Sequence, residues 1–276
     1  MPKLSVTIIT KNEAANIGDA LASVAWADEI VVVDSESTDD TAAIARRHNA
    51  RVEVRAWPGY VEQKNHAASL ASHDWILSLD ADERVTPELA AEIKAVMARP
   101  ADAIGYDGFR VPRVNWHLGR WIRTTDWYPD DQLRLYDRRV GRWAGRYVHE
   151  SVSVGGAVGR LRGELQHFAY RDLSDHLETI DRYTTEAARE MHERGRRAGL
   201  LQLAGHPPLA FLRNYLARGG IRDGVPGLII STLNAYYVFL KFSKLWHLQH
   251  SAGAAQHSAG ATRHAAGATE HPAAKR

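Results

Sequence analysis

Trp75-Ile76-Leu77-Ser78-Leu79-Asp80-Ala81-Asp82-Glu83 decides the fold, because an apolar run of the length of a buried strand ends abruptly in three carboxylates. A strand buried on both faces belongs to a parallel sheet, and such a sheet delivers whatever follows its strands to the carboxyl edge, where open α/β sheets bind ligands. Two aspartates one residue apart at that edge can share a divalent cation, and hard oxygen ligands suit magnesium or manganese holding a diphosphate. Taken alone, Asp-x-Asp reads equally well as a solvated acidic turn. It would precede the helix that Thr86-Pro87-Glu88 opens, with Thr86 as cap and Pro87 in the first turn. The flanking segments tip the balance.

On both sides short apolar runs alternate with helical patterns. Leu4–Thr10, Ile30–Val33 and Arg51–Trp57 read as further strands. Asn12–Val24, Val61–Ala71 and Pro87–Ala98 read as helices, and Ser37-Thr38-Asp39-Asp40 is a capping pattern that opens another. Repeated β-α predicts a mostly parallel α/β sheet with helices on both faces. From Gly105 to Tyr170 the texture turns aromatic, arginine-rich and β-like, as in Phe109-Arg110-Val111 and Leu133-Arg134-Leu135-Tyr136. The predicted organisation is therefore a first half over residues 1–100, a second half of the same domain over 101–172, a helical extension over 173–250 and a tail over 251–276.

The formal net charge is +2, and the tail beyond Ser251 holds Arg263, Lys275 and Arg276 against Glu270, so the body is neutral and gives no support for nucleic-acid binding. The chain has no cysteine, which excludes disulfides, thiolate catalysis and Cys-based zinc sites. Met1-Pro2-Lys3-Leu4 leads straight into a strand with no apolar signal region, which predicts a cytoplasmic protein. In the extension, Ser174–Ala198 reads as an amphipathic helix with Leu177, Ile180, Ala187 and Met191 on one face. Val225–Leu240 carries no charge and runs into Lys241, Lys244, Trp246 and His247. It falls short of the roughly twenty apolar residues that span a bilayer. With Tyr236, Tyr237, Phe239 and Phe242 crowded nearby it reads as an interfacial helix on a membrane surface, with a core helix as the alternative. Past His250, histidines 257, 264 and 271 recur among alanine and glycine without the large apolar residues of a coiled coil, and this composition predicts a disordered tail.

The first strand ends in Ile9-Thr10-Lys11-Asn12-Glu13 and the second in Val33-Asp34-Ser35-Glu36-Ser37-Thr38-Asp39-Asp40-Thr41. With Leu79-Asp80-Ala81-Asp82, in this order and at these intervals, they resemble the family-2 glycosyltransferases of the GT-A fold: a T-x-N-E start, a D-S-x-S-x-D-x-T turn and a D-A-D-E site. The resemblance continues through Tyr60-Val61-Glu62-Gln63-Lys64-Asn65 and, more loosely, Trp143-Ala144-Gly145-Arg146-Tyr147-Val148-His149-Glu150. Within the family the chain looks most like the bacterial lipopolysaccharide core β-glucosyltransferases, which share a V-H-E segment and a helical C-terminal extension.

That resemblance implies roles. Thr10 and Glu13 border the nucleotide pocket, and Asp34 accepts a hydrogen bond from the uracil N–H. Asp80 lies near the ribose and the metal, Asp82 binds the Mg2+ or Mn2+ that bridges the diphosphate, and Lys64 is a cation beside the nucleotide. Such enzymes invert the anomeric centre, so one side chain must take the acceptor proton. Glu150, next to His149, is the candidate base, and Asp131 and Asp130 compete for the role. The implied donor is UDP-glucose. The implied acceptor is a lipid-linked saccharide of the lipopolysaccharide inner core, met at the inner leaflet by a peripheral enzyme whose 101–172 half faces it. Gln132 and Arg134 lack the spacing and the tryptophan of the processive Q-x-x-R-W motif, which argues against a polymerase. An NAD-binding fold would need glycines in Thr10–Ala15, and there are none. A sugar-phosphate nucleotidyltransferase would carry a Gly-rich basic loop there, and a non-enzymatic membrane-associated carbohydrate-binding protein is the alternative from another class.

Overall fold

The computed structural model describes residues 1–145 and 150–266, residues 252–266 by their backbone alone. The chain divides into two compact units, Met1–Leu173 and Ser174–Arg276. In the first, β1 (Leu4–Thr10), α1 (Ile17–Ser23), β2 (Glu29–Asp34), α2 (Thr41–Arg47), β3 (Arg51–Val54), α3 (Tyr60–Leu70) and β4 (Trp75–Asp80) follow the alternation read from the sequence. Then come β5 (Glu83–Val85), α4 (Pro87–Met97), β6 (Gly108–His117), β7 (Arg120–Ile122), β8 (Asp130–Asp137), β9 (Gly141–Ala144), β10 (Ser151–Val154), β11 (Val158–Arg160) and β12 (Leu165–His167). The main sheet runs β3-β2-β1-β4-β8-β6-β12-β5, with β7 and β11 also on β6, while β9 and β10 form a separate hairpin. Pairing is parallel from β3 to β4 and antiparallel where β8 joins β4 and β6.

Alternation along β4 explains why helices cover both faces. Trp75, Leu77 and Leu79 pack with Ile17 and Leu21 of α1 and Leu89 and Ile93 of α4. Ile76 points the other way, into a cluster with Ala68 of α3, Tyr136 and Trp143. The parallel register sets Thr10 opposite Asp34 and Ile9 opposite Asp80, so the ends of β1, β2 and β4 share one sheet edge. The strand read as Arg51–Trp57 stops at Val54, where the partner strand ends. The helix read from Asn12 starts only at Ile17, because Asn12 takes a left-handed φ of 55° and the intervening backbone serves the loop described below.

In the second unit α5 (Leu173–Glu193) buries His176, Ile180, Thr184 and Ala188, four residues apart. The stripe is thus rotated from the predicted one, and Leu177 is exposed. The helix ends at Glu193 rather than Ala198, since Gly195 adopts a φ of 71° and the chain turns back with Arg196 N–H donating to the Met191 carbonyl. A helical run over 201–217 contains α6 (His206–Leu212) between two wider turns, and α7 (Gly224–Ala266) packs along it. Lys244 ties α7 to α5 by donating to the Asp181 carboxylate at 2.7 Å and to Thr184 and Thr185. The α7 backbone runs on to Ala266, into the histidine repeat that composition assigns to a disordered tail; alanine, the strongest helix former, lets a helix already nucleated propagate there. Residues 267–276 of that tail lie outside the described residues.

Thr86 closes the first turn of α4, accepting from Leu89 N–H at 3.2 Å and donating to the Glu164 carbonyl at 2.9 Å. Thr86→Ala should lower unfolding free energy by about 1 kcal/mol, the usual worth of an N-cap, measured by urea denaturation.

Candidate active site

The loops after β1 and β2 are stitched together by the side chains of the two motifs. Asn12 N–H donates to Ser37 Oγ and Thr38 N–H to Asn12 Oδ1, both at 2.8 Å. Glu13 N–H donates to Thr41 Oγ1 at 2.8 Å and Ala14 N–H to Asp39 Oδ2 at 3.1 Å. Asp34 is buried and accepts from Ser37 N–H at 2.9 Å and Ser37 Oγ at 2.5 Å, so in this state it caps the turn. Thr10 Oγ1 and Gln63 Oε1, both buried near this edge, find no hydrogen-bond partner among the described residues. Buried polar atoms seldom stay unpaired, and two at one loop cluster suit a bound polar ligand.

At the end of β4 the carboxylates meet cations. Asp80 Oδ1 lies 2.7 Å from Lys64 Nζ and Asp80 Oδ2 lies 2.5 Å from an Arg134 guanidinium nitrogen. The same Arg134 nitrogen is 2.5 Å from Glu83 Oε1, which also receives Arg113 at 3.0 Å, while Glu83 Oε2 accepts from Asp80 N–H. Burial alone would raise the Asp80 pKa, but Arg134 and Lys64 outweigh it and hold the carboxyl well below the usual range. Burial would likewise lower the Arg134 pKa, and Asp80 and Glu83 raise it instead. The β6–β8 ladder shifts register between Phe109 and Arg110, leaving Arg134 without a cross-strand partner, a bulge that frees its side chain for this role. The three residues of Gln63-Lys64-Asn65 reach three different places. Gln63 donates to Ser35, Lys64 pairs with Asp80, and Asn65 clamps both backbone groups of Trp143, whose ring lies under Lys64 Nζ at 4.1 Å.

Asp82 lies apart from that network. Its Oδ2 is 3.3 Å from His167 Nε2, and His167 Nδ1 is 2.6 Å from Asn115 Oδ1. The β12–β5 pairing, with His167 opposite Glu83, brings the imidazole to this edge. An amide oxygen at Nδ1 requires a proton there, so Nε2 of a neutral ring would present a lone pair to the Asp82 oxygen. Burial would raise the Asp82 pKa, and His167 lowers it against the repulsion of Asp80. Glu13 goes the other way, raised first by burial and further by Asp82 and Asp39.

The candidate bases separate. Asp130 faces Arg113 across the ladder, at 2.7 Å, and joins the network through it. Successive strand residues point to opposite faces, so Asp131 turns away and pairs with Arg160 at 3.0 Å. The structure therefore does not bring Asp131 to the carboxylates at the end of β4. Glu150 directly precedes β10, whose Ser151 pairs with Ala144, next to Trp143. His149 lies outside the described residues. Sequence reasoning missed Arg134, Glu83, Arg113 and His167, all of which act through pairings between strands distant in sequence. Only the D-A-D-E tetrapeptide itself hinted at Glu83.

The sequence matches the model of the family described as glycosyl transferase family 2 over residues 5–162. It is 33% identical over 255 residues to the lipopolysaccharide core biosynthesis glycosyltransferase LpsC of Rhizobium meliloti, covering 89% of this chain and 93% of that protein. It is 32% identical over 269 residues to an uncharacterized glycosyltransferase of Rickettsia typhi, covering 90% of this chain and 88% of that one. Among solved structures, a mannosyltransferase from Pyrobaculum calidifontis, in complex with GDP-Man and Mn2+, superposes with a TM-score of 0.54 over 88% of this chain and 87% of that chain, at 16% identity. At that identity the likeness establishes the fold, which is GT-A.

Arg134 compensates two buried carboxylates, so Arg134→Met should destabilise the protein by about 3 to 5 kcal/mol, the cost of stranding buried charge, read from urea midpoints. The Asp80 carboxyl is depressed on folding, so its stabilisation is complete above its unfolded pKa of about 3.9 and is lost as pH falls through and below that value. The urea midpoint should fall in that window and fall less steeply in Asp80→Asn.

Proposed function

The chain belongs to glycosyl transferase family 2, and from that premise we propose that it inverts the anomeric centre of a glucosyl unit, moving it from UDP-glucose to a lipid-linked saccharide of the lipopolysaccharide inner core. Membership in a family of nucleotide-sugar-dependent transferases leaves no place for the nucleotidyltransferase and the non-enzymatic binding protein. The observation that carries the reading is the Asp82–His167 pair beside the Asp80–Lys64–Arg134 cluster, at the edge where β1 and β2 also end. The relative in lipopolysaccharide core biosynthesis, matched over nearly its whole length, supports the acceptor class. A lipid-linked acceptor supports work at the inner leaflet of the cytoplasmic membrane by a peripheral enzyme.

One carboxylate and one imidazole are a donor set that Mg2+ and, better, Mn2+ accept, with water and substrate oxygens completing the shell. Asp82 and His167 would hold the ion, and Asn115 would keep the imidazole in the tautomer that ligation needs. When bound, such an ion neutralises charge on the departing diphosphate. Lys64 and Arg134 keep positive charge beside Asp80 and fix that carboxylate as an anion for the ribose and metal side of the donor. Thr10 and Glu13 border the nucleotide, the Thr10 hydroxyl with its hydrogen-bonding capacity unspent. Asp34 is the acceptor for the uracil N–H, using lone pairs that Ser37 leaves. Glu150 takes the proton from the acceptor hydroxyl as the new glycosidic bond forms and UDP leaves. Asp130, rather than Asp131, is the carboxylate to replace it on geometric grounds.

Asp82→Ala should keep the melting temperature and reduce UDP release by orders of magnitude, and excess chelator should do the same to the unmodified protein; full turnover in either sample would dismiss the metal reading. Glu150→Gln should retain UDP-glucose affinity by calorimetry while transfer drops roughly a hundredfold to ten-thousandfold, the range of general base catalysis. Normal transfer by that variant would send the search to Asp130.

A further inference from the structure

The helical run over 201–217 and α7 pack with their polarity reversed. Facing inward over residues 200–240 are Ala210, Asn214, Gly220, Gly227 and Ser231 with one large apolar side chain, Ile230, and only beyond residue 240 does α7 bury Phe242 and Leu245. A Cβ on Gly227 would stand 1.8 Å from the Gly220 carbonyl oxygen, so the turn that leads into α7 lies directly against the first turn of that helix. Asn214 and Ser231 are fully buried, yet the Asn214 amide and the Ser231 hydroxyl find no partner among the described residues. Facing outward are Leu209, Leu212 and Leu216, spaced three and four apart, at 64%, 48% and 56% exposure. On α7 the outward stripe is Val225, Leu228, Tyr236 and Phe239. A helix pair made for water does the opposite. In lipid, by contrast, helices meet through small and polar residues and turn their large apolar ones outward.

Charge follows the same logic. Residues 198–212 and 224–240 hold no charged side chain. At their ends stand Arg196, Arg197, Arg213, Arg218, Arg222, Lys241 and Lys244, while the sole acid between residues 194 and 250, Asp223, is buried. Gly220–Ser251 is long and apolar enough to cross a membrane by length and composition, and only 22% of its most apolar window is buried. The partner stretch 198–212 rises only about 22 Å as a helix, short of a hydrocarbon core about 30 Å thick.

We propose that the helical hairpin formed by residues 200–240 lies in the interface of an anionic lipid bilayer, with Leu209, Leu212, Leu216, Val225, Leu228 and Phe239 among the acyl chains and the flanking arginines and lysines at the headgroup phosphates. A second copy of the chain fits this surface worse, because a self-complementary contact would bring the arginine-rich ends of two copies together. The proposal deepens the acceptor reading above, from which it takes only the expectation of work at a membrane. Its test uses neither donor nor acceptor, so the two fail separately.

The full-length chain should float with vesicles containing phosphatidylglycerol at low salt, and far less with phosphatidylcholine alone. Because the chain has no cysteine, Leu212→Cys, Phe239→Cys and, as control, Asp102→Cys in the first unit each accept a single environment-sensitive fluorophore. Emission should shift to the blue on anionic vesicles at 212 and 239 and stay unchanged at 102. The double variant Leu212→Glu, Leu216→Glu should lose vesicle partitioning by about tenfold or more with its melting curve unchanged. The proposal falls if the full-length chain remains in the soluble fraction with anionic vesicles, or if the labels at 212 and 239 stay water-like. It falls equally if the glutamate variant keeps its vesicle partitioning while a wild-type dimer becomes a monomer. Should the glutamate variant fail to fold, the labelled variants decide alone.

Discussion

Arg134 stands between Asp80 and Glu83 with almost no solvent, and much of the first unit's architecture is arranged around keeping that charge balanced. A strand that ends in carboxylates at the core edge can be built only if cations come to it, since isolated buried charges cost several kcal/mol each. Lys64 arrives from α3, Arg113 from β6 and Arg134 from a bulge in β8. The sequence pays for this with a broken ladder and a lysine lying on a tryptophan ring. The result is an aspartate that stays ionised in a site where a neighbouring glutamate, Glu13, has its pKa pushed up. Environment, not residue type, separates the carboxylates.

Much of the fingerprint turns out to be scaffold. Ser37, Asp39 and Thr41 spend their polar atoms holding the β1 and β2 loops together, and Asn65 spends both ends of its amide on the backbone of Trp143. Asp82, whose carboxylate meets His167, and Thr10, whose hydroxyl finds no partner among the described residues, are the groups least used for structure. A motif therefore identifies the loop geometry first, and the chemistry only through the few positions that geometry leaves unspent.

Elements governed by local periodicity were legible: β1 and the cap of α4 stand where the apolar runs and Thr86-Pro87 put them. The carboxylates at the strand ends were legible too, because a strand's exit edge follows from parallel pairing. Lys64 apart, the partners of those carboxylates were not. His167 reaches Asp82 through a three-residue strand paired antiparallel to another, and strands that short carry no period. Asp130 and Asp131 look equivalent as text and differ only in which face of β8 each occupies. The rotation of the α5 stripe has the same origin, since neighbouring phases of a half-apolar helix are separated only by what packs against them.

An uncharged apolar helix reads identically in sequence whether it is destined for a protein core or for lipid. What distinguishes the cases is which side chains its partner helix covers, and that is a property of pairing rather than of composition. Between residues 200 and 240 the covered residues are mostly small or polar, with Ile230 the exception, whereas the rest of the second unit buries Ile180, Phe242 and Leu245 as a water-soluble core does. An arrangement that buries an unpaired asparagine while exposing leucine is costly in water on both counts. Immersing the outer face in hydrocarbon would remove the second cost, and an inner face that includes Ala210 and Ser231 is of the small-residue kind by which helices pack in hydrocarbon. The polarity of the hairpin is thus the ground on which a bilayer interface is proposed for it, and the cations near its ends are what would select an anionic one.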